Sequence, residues 1–170
     1  PAEYQYLNED NIFEHYNIKS HNEWIKKLDL VIVFDVGDFL RIRTLVDVIK
    51  KNQISTMNID HHPHPENHTF DYNIVDLSAA ATGCMVYDYL NIVKDSEISK
   101  KSLLGIYTAM MTDTGCFRYS NTDNKCHEIA IHSLNAGIQT HKIYQHVYEN
   151  STRSRIKLMG SFLSDINYDI

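Results

Sequence analysis

An α/β domain, with a mainly parallel sheet and helices on both faces, is the fold this sequence predicts. Three observations carry the prediction. Leu30-Val31-Ile32-Val33-Phe34 is a continuous apolar run rich in β-branched residues, the pattern of a strand buried on both faces of a parallel sheet. Short runs of this kind alternate with longer segments of helical period, the order expected of βαβ units. Acidic and imidazole side chains stand where the apolar runs stop, and such sheets bind ligands at the carboxyl ends of their strands.

Taken in order, Tyr4 to Leu7 reads as a short strand and Glu23 to Leu28 as a helical turn ahead of the first long strand. That strand ends at Asp35. Asp38 is placed to cap a helix whose apolar positions include Leu45, Val46 and Ile49. Met57-Asn58-Ile59 forms a second strand running into Asp60-His61-His62, after which Pro63 and Pro65 force an extended loop. Asn73-Ile74-Val75 is a third strand. Ser78 caps a helix through Ala79-Ala80-Ala81 to about Ile92, and another helix covers Lys101 to Met111. Thr122 caps a helix that stops near Gly137, a residue suited to a left-handed turn. From His141 onward the pattern is helical.

A length of 170 residues suits one domain with a real core. No stretch is long and apolar enough to span a bilayer, and the first residues have neither a basic start nor an apolar run. Cys84, Cys116 and Cys126 form no CxxC pair and read as reduced thiols in a cytoplasmic protein. A formal net charge of −6 argues against nonspecific binding of duplex DNA. A phosphate substrate stays compatible with it, because carboxylates gathered around divalent metals make a site that attracts anions.

The chemistry lies at three element ends. A lone Asp35 after a strand is ordinarily a turn former. In Asp60-His61-His62, adjacent histidines on extended chain project in different directions, so one can bind metal while the other faces substrate, and an Asp beside them can orient an imidazole. His64 and His68 nearby give weight to a plain His-rich loop. Thr112-Asp113-Thr114-Gly115 reads alone as a helix stop. Taken together, three carboxylates and two histidines at element ends are a poor coincidence. Carboxylate and imidazole donors without thiolate suit Mn²⁺ or Mg²⁺, and paired ions about 3.5–4 Å apart are a standard device for hydrolysing phosphate esters.

These residues resemble a known family. Asp60-His61-His62, preceded by Asn58-Ile59, is similar to the defining motif of the DHH phosphoesterases. Asp35 in Val33-Phe34-Asp35 resembles that family's second motif. Thr112-Asp113-Thr114-Gly115, with Phe117-Arg118-Tyr119-Ser120-Asn121-Thr122 after it, resembles the fourth. The run Ala79-Ala80-Ala81-Thr82-Gly83, together with Arg41, is similar to the subgroup of bifunctional oligoribonucleases and phosphoadenosine-phosphate phosphatases.

The resemblance implies a metal-dependent phosphoesterase that hydrolyses short oligoribonucleotides, 3'-phosphoadenosine 5'-phosphate or both, by two-metal activation of water. It implies that Asp35 bridges two Mn²⁺ or Mg²⁺ ions and that His61 and Asp113 bind the second of them. His62 faces the scissile phosphate as hydrogen-bond donor or general acid, with Asp60 behind it. Arg118 and Arg41 are candidate contacts to substrate. Partners would be short single-stranded RNA or a nucleoside bisphosphate, with no membrane and with a homodimer left open.

Two departures qualify this. The family's first motif, a His-x-Asp-x-Asp cluster, has no counterpart among Glu3, Glu9 and Asp10, and the small C-terminal domain with its Gly-Gly-His run does not follow Ile170. The expectation is therefore a fragment: residues 1–150 as a phosphoesterase domain lacking its first motif, and 151–170 as a helix leading toward a substrate-binding domain. Such a fragment is expected to be inactive by itself and to bind metal weakly. Alternatives are a non-catalytic nucleotide-binding module and, among enzymes of the same fold, a cyclic-dinucleotide phosphodiesterase, a single-strand exonuclease or a pyrophosphatase. Tyr119 reads as a core side chain, with base stacking as its rival role, and Arg153 and Arg155 as solvated helix residues.

Overall fold

The computed structural model describes residues 2–65, 69–93 and 97–166; His68 lies outside them. The chain divides into two compact units, one of residues 13–138 and one joining 1–12 to 139–170.

The larger unit is built on three parallel strands, β1 (Leu30–Phe34), β2 (Ser55–Asp60) and β3 (Tyr72–Val75), in the order β1-β2-β3. Ile32 stands beside Met57, and Met57 beside Tyr72. A parallel sheet with helices around it is the fold class the alternating pattern predicted. Because side chains alternate across a strand, Val31 and Val33 share one face. On that face α1 (Ile18–Ile25) and α2 (Leu45–Lys51) close a core of Ile25, Val33, Phe39, Val46, Ile49 and Phe70. The opposite face carries Leu30, Ile32 and Phe34 from β1 with Tyr72 and Ile74 from β3, all 36–56% exposed. β1 is thus buried on one face, not on both as its composition suggested. An apolar run records what a strand tolerates, while its burial depends on which elements pack on each side.

Beyond the sheet, α3 (Thr82–Ile92), α4 (Lys100–Asp113) and α5 (Asn124–Asn135) pack side by side. Leu103, Ile106, Tyr107, Met110 and Met111 of α4 are buried at helical spacing, so one stripe of α4 supplies this second core. Gly83 allows the close approach of α3: a Cβ there would lie 2.8 Å from the Cβ of Ala109. Gly137, at φ 75°, makes the left-handed stop expected after α5.

Several predicted caps move by a few residues. Asp38 caps a short 3-10 helix, Phe39–Ile42, ahead of α2. Ser78 is not a cap. Its N–H and hydroxyl both donate to Asp76 Oδ1 in a turn, and α3 starts at Thr82. Asp123, not Thr122, caps α5 by accepting from the Cys126 N–H. Each shift has one cause: neighbouring Ser, Thr and Asp residues compete for the same backbone donors.

In the smaller unit, Tyr4 to Leu7 lie in a 3-10 helix, Ala2–Asn8, instead of a strand. Among the described residues of this unit there is no strand to pair with, and the segment packs on α6 (Thr140–Tyr148), with Tyr6 stacked on His146 at 4.8 Å between ring centroids. The last helix, α7 (Arg153–Ser164), is capped by Thr152, and its residues, Arg153 and Arg155 included, are exposed.

Candidate metal centre

Asp35 follows the last residue of β1. Its φ is 60°, in the left-handed region that Asp tolerates better than most residues with a Cβ. Its N–H donates to the Ile59 carbonyl, so β1 stays in register with β2 up to the turn. The Thr82 hydroxyl, at the first turn of α3, donates to Asp35 Oδ1 at 2.8 Å. The turn and the hydroxyl together aim this half-exposed carboxylate.

The end of β2 is built differently. Asp60 is fully buried. Its Oδ1 accepts from the His61 N–H at 2.7 Å, the His62 N–H at 3.1 Å and the His62 Nδ1 at 2.8 Å. Burial works against this charge, but the bonds from the His62 ring and from both backbone N–H groups outweigh it and hold the carboxyl below its ordinary range. Asp60 thereby fixes the tautomer of His62: Nδ1 carries the proton, and Nε2 is free for another partner.

His61 is fixed from the other side. Its Nδ1 lies 3.0 Å from the carbonyl of Ala79, which can only accept, so Nδ1 is the protonated nitrogen. The opposite nitrogen, Nε2, is buried without a hydrogen-bond partner. It faces Asp35 Oδ1 and Asp113 Oδ2, each at 3.6 Å. A lone pair and two carboxylate oxygens thus converge on one small space.

Asp113, the last residue of α4, completes the group. Burial, and then the nearby charge of Asp35, raises its carboxyl above the ordinary range. After it, Gly115, Cys116 and Phe117 all have positive φ. This left-handed turn is held by the Cys116 N–H on the Met111 carbonyl and the Phe117 N–H on the Thr114 hydroxyl. Asn121 then ties the loop back, donating from Nδ2 to the carbonyls of Asp113 and Ala80.

Asp35, His61, His62 and Asp60 offer ligand atoms within 4.8 Å of one another, and Asp113 stands against His61. Thr82 and Asn121 have site roles that the sequence reading did not assign. Both lie in the runs that marked the resemblance, so the residues were visible although their bonds were not. Arg41, on the 3-10 helix Phe39–Ile42, and Arg118 are exposed, and Arg118 donates from Nε to the Gly115 carbonyl. Among the described residues neither bonds to the carboxylates or imidazoles of the centre. Tyr119 is 57% exposed and lies over Gly115, so it is not the core side chain expected.

These donors fit a divalent cation. A positive ion would satisfy the buried Nε2 of His61 and remove the repulsion between Asp35 and Asp113, and oxygen and imidazole donors suit Mn²⁺ or Mg²⁺.

The model of the DHH family, N-terminal domain, matches residues 2–112. Among curated proteins, the chain is 31% identical over 113 residues to the bifunctional oligoribonuclease and PAP phosphatase NrnA of Thermus thermophilus, covering 66% of this chain and 34% of that protein. It is 27% identical over 140 residues to the protein of the same name from Bacillus subtilis, covering 81% of this chain and 43% of that one. Among solved structures, an exopolyphosphatase-related protein from Bacteroides fragilis superimposes with a TM-score of 0.83 at 27% identity, over 99% of this chain and 50% of its own. The chain therefore spans less than half the length of these two curated relatives.

Proposed function

The chain belongs to the DHH family, and from that premise we propose that it is the metal-binding domain of a phosphoesterase acting on short oligoribonucleotides, 3'-phosphoadenosine 5'-phosphate or both. The observation that carries the reading is the buried Nε2 of His61, unpartnered between two carboxylates. The substrate class rests on the names of the relatives.

In this reading Asp35, His61 and Asp113 hold a divalent ion, Mn²⁺ or Mg²⁺. Such ions, when bound, acidify the attacking water and stabilise charge on the phosphoryl oxygens. The remaining work belongs to the protein. Thr82 aims Asp35. The Ala79 carbonyl keeps the His61 lone pair on Nε2. Asp60 holds His62 by Nδ1, so that Nε2 meets a phosphate oxygen and donates to it once protonated, while the carboxylate stabilises the imidazolium. The exposed guanidinium groups of Arg41 and Arg118 are available to further phosphates of the substrate.

The rival reading is a module that binds metal and nucleotide without turnover. It is favoured by the ligand count, since three side chains leave two octahedral ions far from filled. An assay of Mn²⁺-dependent hydrolysis by the full-length protein decides between them, comparing short RNA with adenosine bisphosphate. Turnover that falls about a hundredfold in His62→Ala with Mn²⁺ binding retained supports the enzyme, since one donor to a developing oxyanion is worth ~3 kcal/mol. Mn²⁺ binding with no turnover of either substrate supports the module.

A further inference from the structure

The buried carboxylate of Asp60 is loaded on one side only. Oδ1 takes all three of the hydrogen bonds described above, while Oδ2 is buried and has no hydrogen-bond partner at normal distance among the described residues. An uncompensated buried carboxylate oxygen is costly, so a donor is expected beside it. The structure places one there: Nε2 of His64 lies 3.5 Å from Oδ2, on a ring only 7% exposed.

A second buried group competes for that nitrogen. Asn58 is fully buried, and its Nδ2 donates to Asn73 Oδ1 at 3.0 Å and lies 3.4 Å from His64 Nε2. The nitrogen cannot both accept from Asn58 and donate to Asp60. One of the two Asn58 amide hydrogens is held by Asn73, so only the second competes for His64, whereas Oδ2 has no other donor among the described residues. A bond to a charged oxygen is also roughly twice as strong as a neutral one. The proton therefore belongs on Nε2.

We infer that His64 is a positioning residue, clamping Asp60 from behind through Oδ2 so that Oδ1 holds His62 in a single orientation and tautomer. Asp60 then lies between two imidazoles, one turned to the reaction and one turned away. A carboxylate held by one oxygen rocks about its Cβ–Cγ bond, and any such motion passes directly to the 2.8 Å bond on His62. The second grip removes that freedom. The inference rests on the functional reading above, in which His62 meets substrate, but its test does not depend on turnover.

The test is the imidazole NMR spectrum of the whole chain, read together with Mn²⁺ titration. In the unmodified chain, the His62 Nδ1–H gives a slowly exchanging downfield proton and a single tautomer. His64→Phe keeps the volume and removes the donor: the His62 proton broadens away, the tautomers average, and Mn²⁺ affinity stays within about twofold because the bonds that hold His61, Asp35 and Asp113 are intact. His64→Gln, which still donates, restores the His62 signal. If His64→Phe does not fold, His64→Asn, polar but too short to reach Oδ2, is read in the same way. A His62 spectrum unchanged in a folded variant lacking the donor overturns the inference. So does loss of Mn²⁺ binding in step with the His62 signal, which would make His64 a general prop of the loop. Failure of all phosphate hydrolysis by the full-length protein, with the His62 signal behaving as described, sinks the functional reading and leaves the clamp standing.

Discussion

The carboxyl ends of β1 and β2 lie side by side in one sheet and are built on opposite principles. Asp35, after β1, is half exposed, sits in a left-handed turn and is touched by one hydroxyl. Asp60, closing β2, is fully buried and accepts three hydrogen bonds on one oxygen. The first presents its charge outward toward His61 and Asp113, a charge that the protein leaves uncompensated. The second is consumed internally, and its product is the orientation of the His62 imidazole. A carboxylate meant for a cation must stay under-bonded, and one meant to hold other side chains must not.

Removing each carboxylate separates the two roles. Asp60→Ala strands three donors and is expected to cost about 3 kcal/mol of stability, with His62 losing its tautomer. Asp35→Ala costs little stability without metal, because it also relieves Asp113, yet it should abolish Mn²⁺ binding. Urea unfolding and calorimetric titration of both variants check this; equal destabilisation would erase the contrast.

Gly83→Val attacks the β1 side from a distance. The new side chain meets Ala109 and the Ile106 carbonyl, so α3 must shift. We expect a loss of ~2 kcal/mol from overpacking, and weaker Mn²⁺ binding as Thr82 moves away from Asp35. Thermal melts with and without Mn²⁺ measure both effects.

The pH dependence should run in opposite directions at the two ends. Asp60 is held below the ordinary carboxylate range, so its contribution is present above about pH 4 and fades as pH falls through its folded value. Asp113, which serves the Asp35 side, is raised by burial and by Asp35. In the metal-free protein its contribution is therefore full at low pH and is lost as pH rises through its folded value. Asp113→Asn should accordingly stabilise the metal-free chain at neutral pH, where Asp60→Asn destabilises it. Unfolding curves collected with a chelator at neutral and acid pH would show the two slopes.

The smallest effect concerns the thiols, all of which are free. Cys84 is buried, and burial pushes its thiol up to about 12, so a thiol reagent at neutral pH should leave it untouched. Cys116, partly exposed in the left-handed turn after Asp113, should label first, and more slowly once Mn²⁺ steadies Asp113. Equal labelling of Cys84 and Cys116 in the native chain would mean that the α3–α5 packing is looser than described.

The legible parts of the molecule were those where one residue type serves one purpose. The β-branched run of β1, the break at Asp35 and the Asp60-His61-His62 cluster could be read directly, because a strand ending in such side chains has few other uses. The bonds of Thr82 and Asn121 could not be read. Each joins segments about forty residues apart, Thr82 to Asp35 and Asn121 to Ala80, and periodicity says nothing about such pairs. Caps slid where Ser, Thr and Asp crowd together, as at Asp76 and Ser78. Tyr119 misled because an aromatic ring in a turn can as well cover a glycine from outside as enter the core.

The uncovered side of the sheet has a practical consequence. β1 pairs with β2 along one edge, and among the described residues no strand pairs with its other edge; Leu30, Ile32 and Phe34 line the adjoining open face. An unpaired edge without charged side chains is a template for another strand, and proteins ordinarily blunt such edges with lysine, proline or a bulge. Concentrated solutions of the chain should therefore drift toward sheet-to-sheet aggregates. A lysine in place of Ile32, pointing away from the α1 and α2 core, is the simplest way to keep it dispersed.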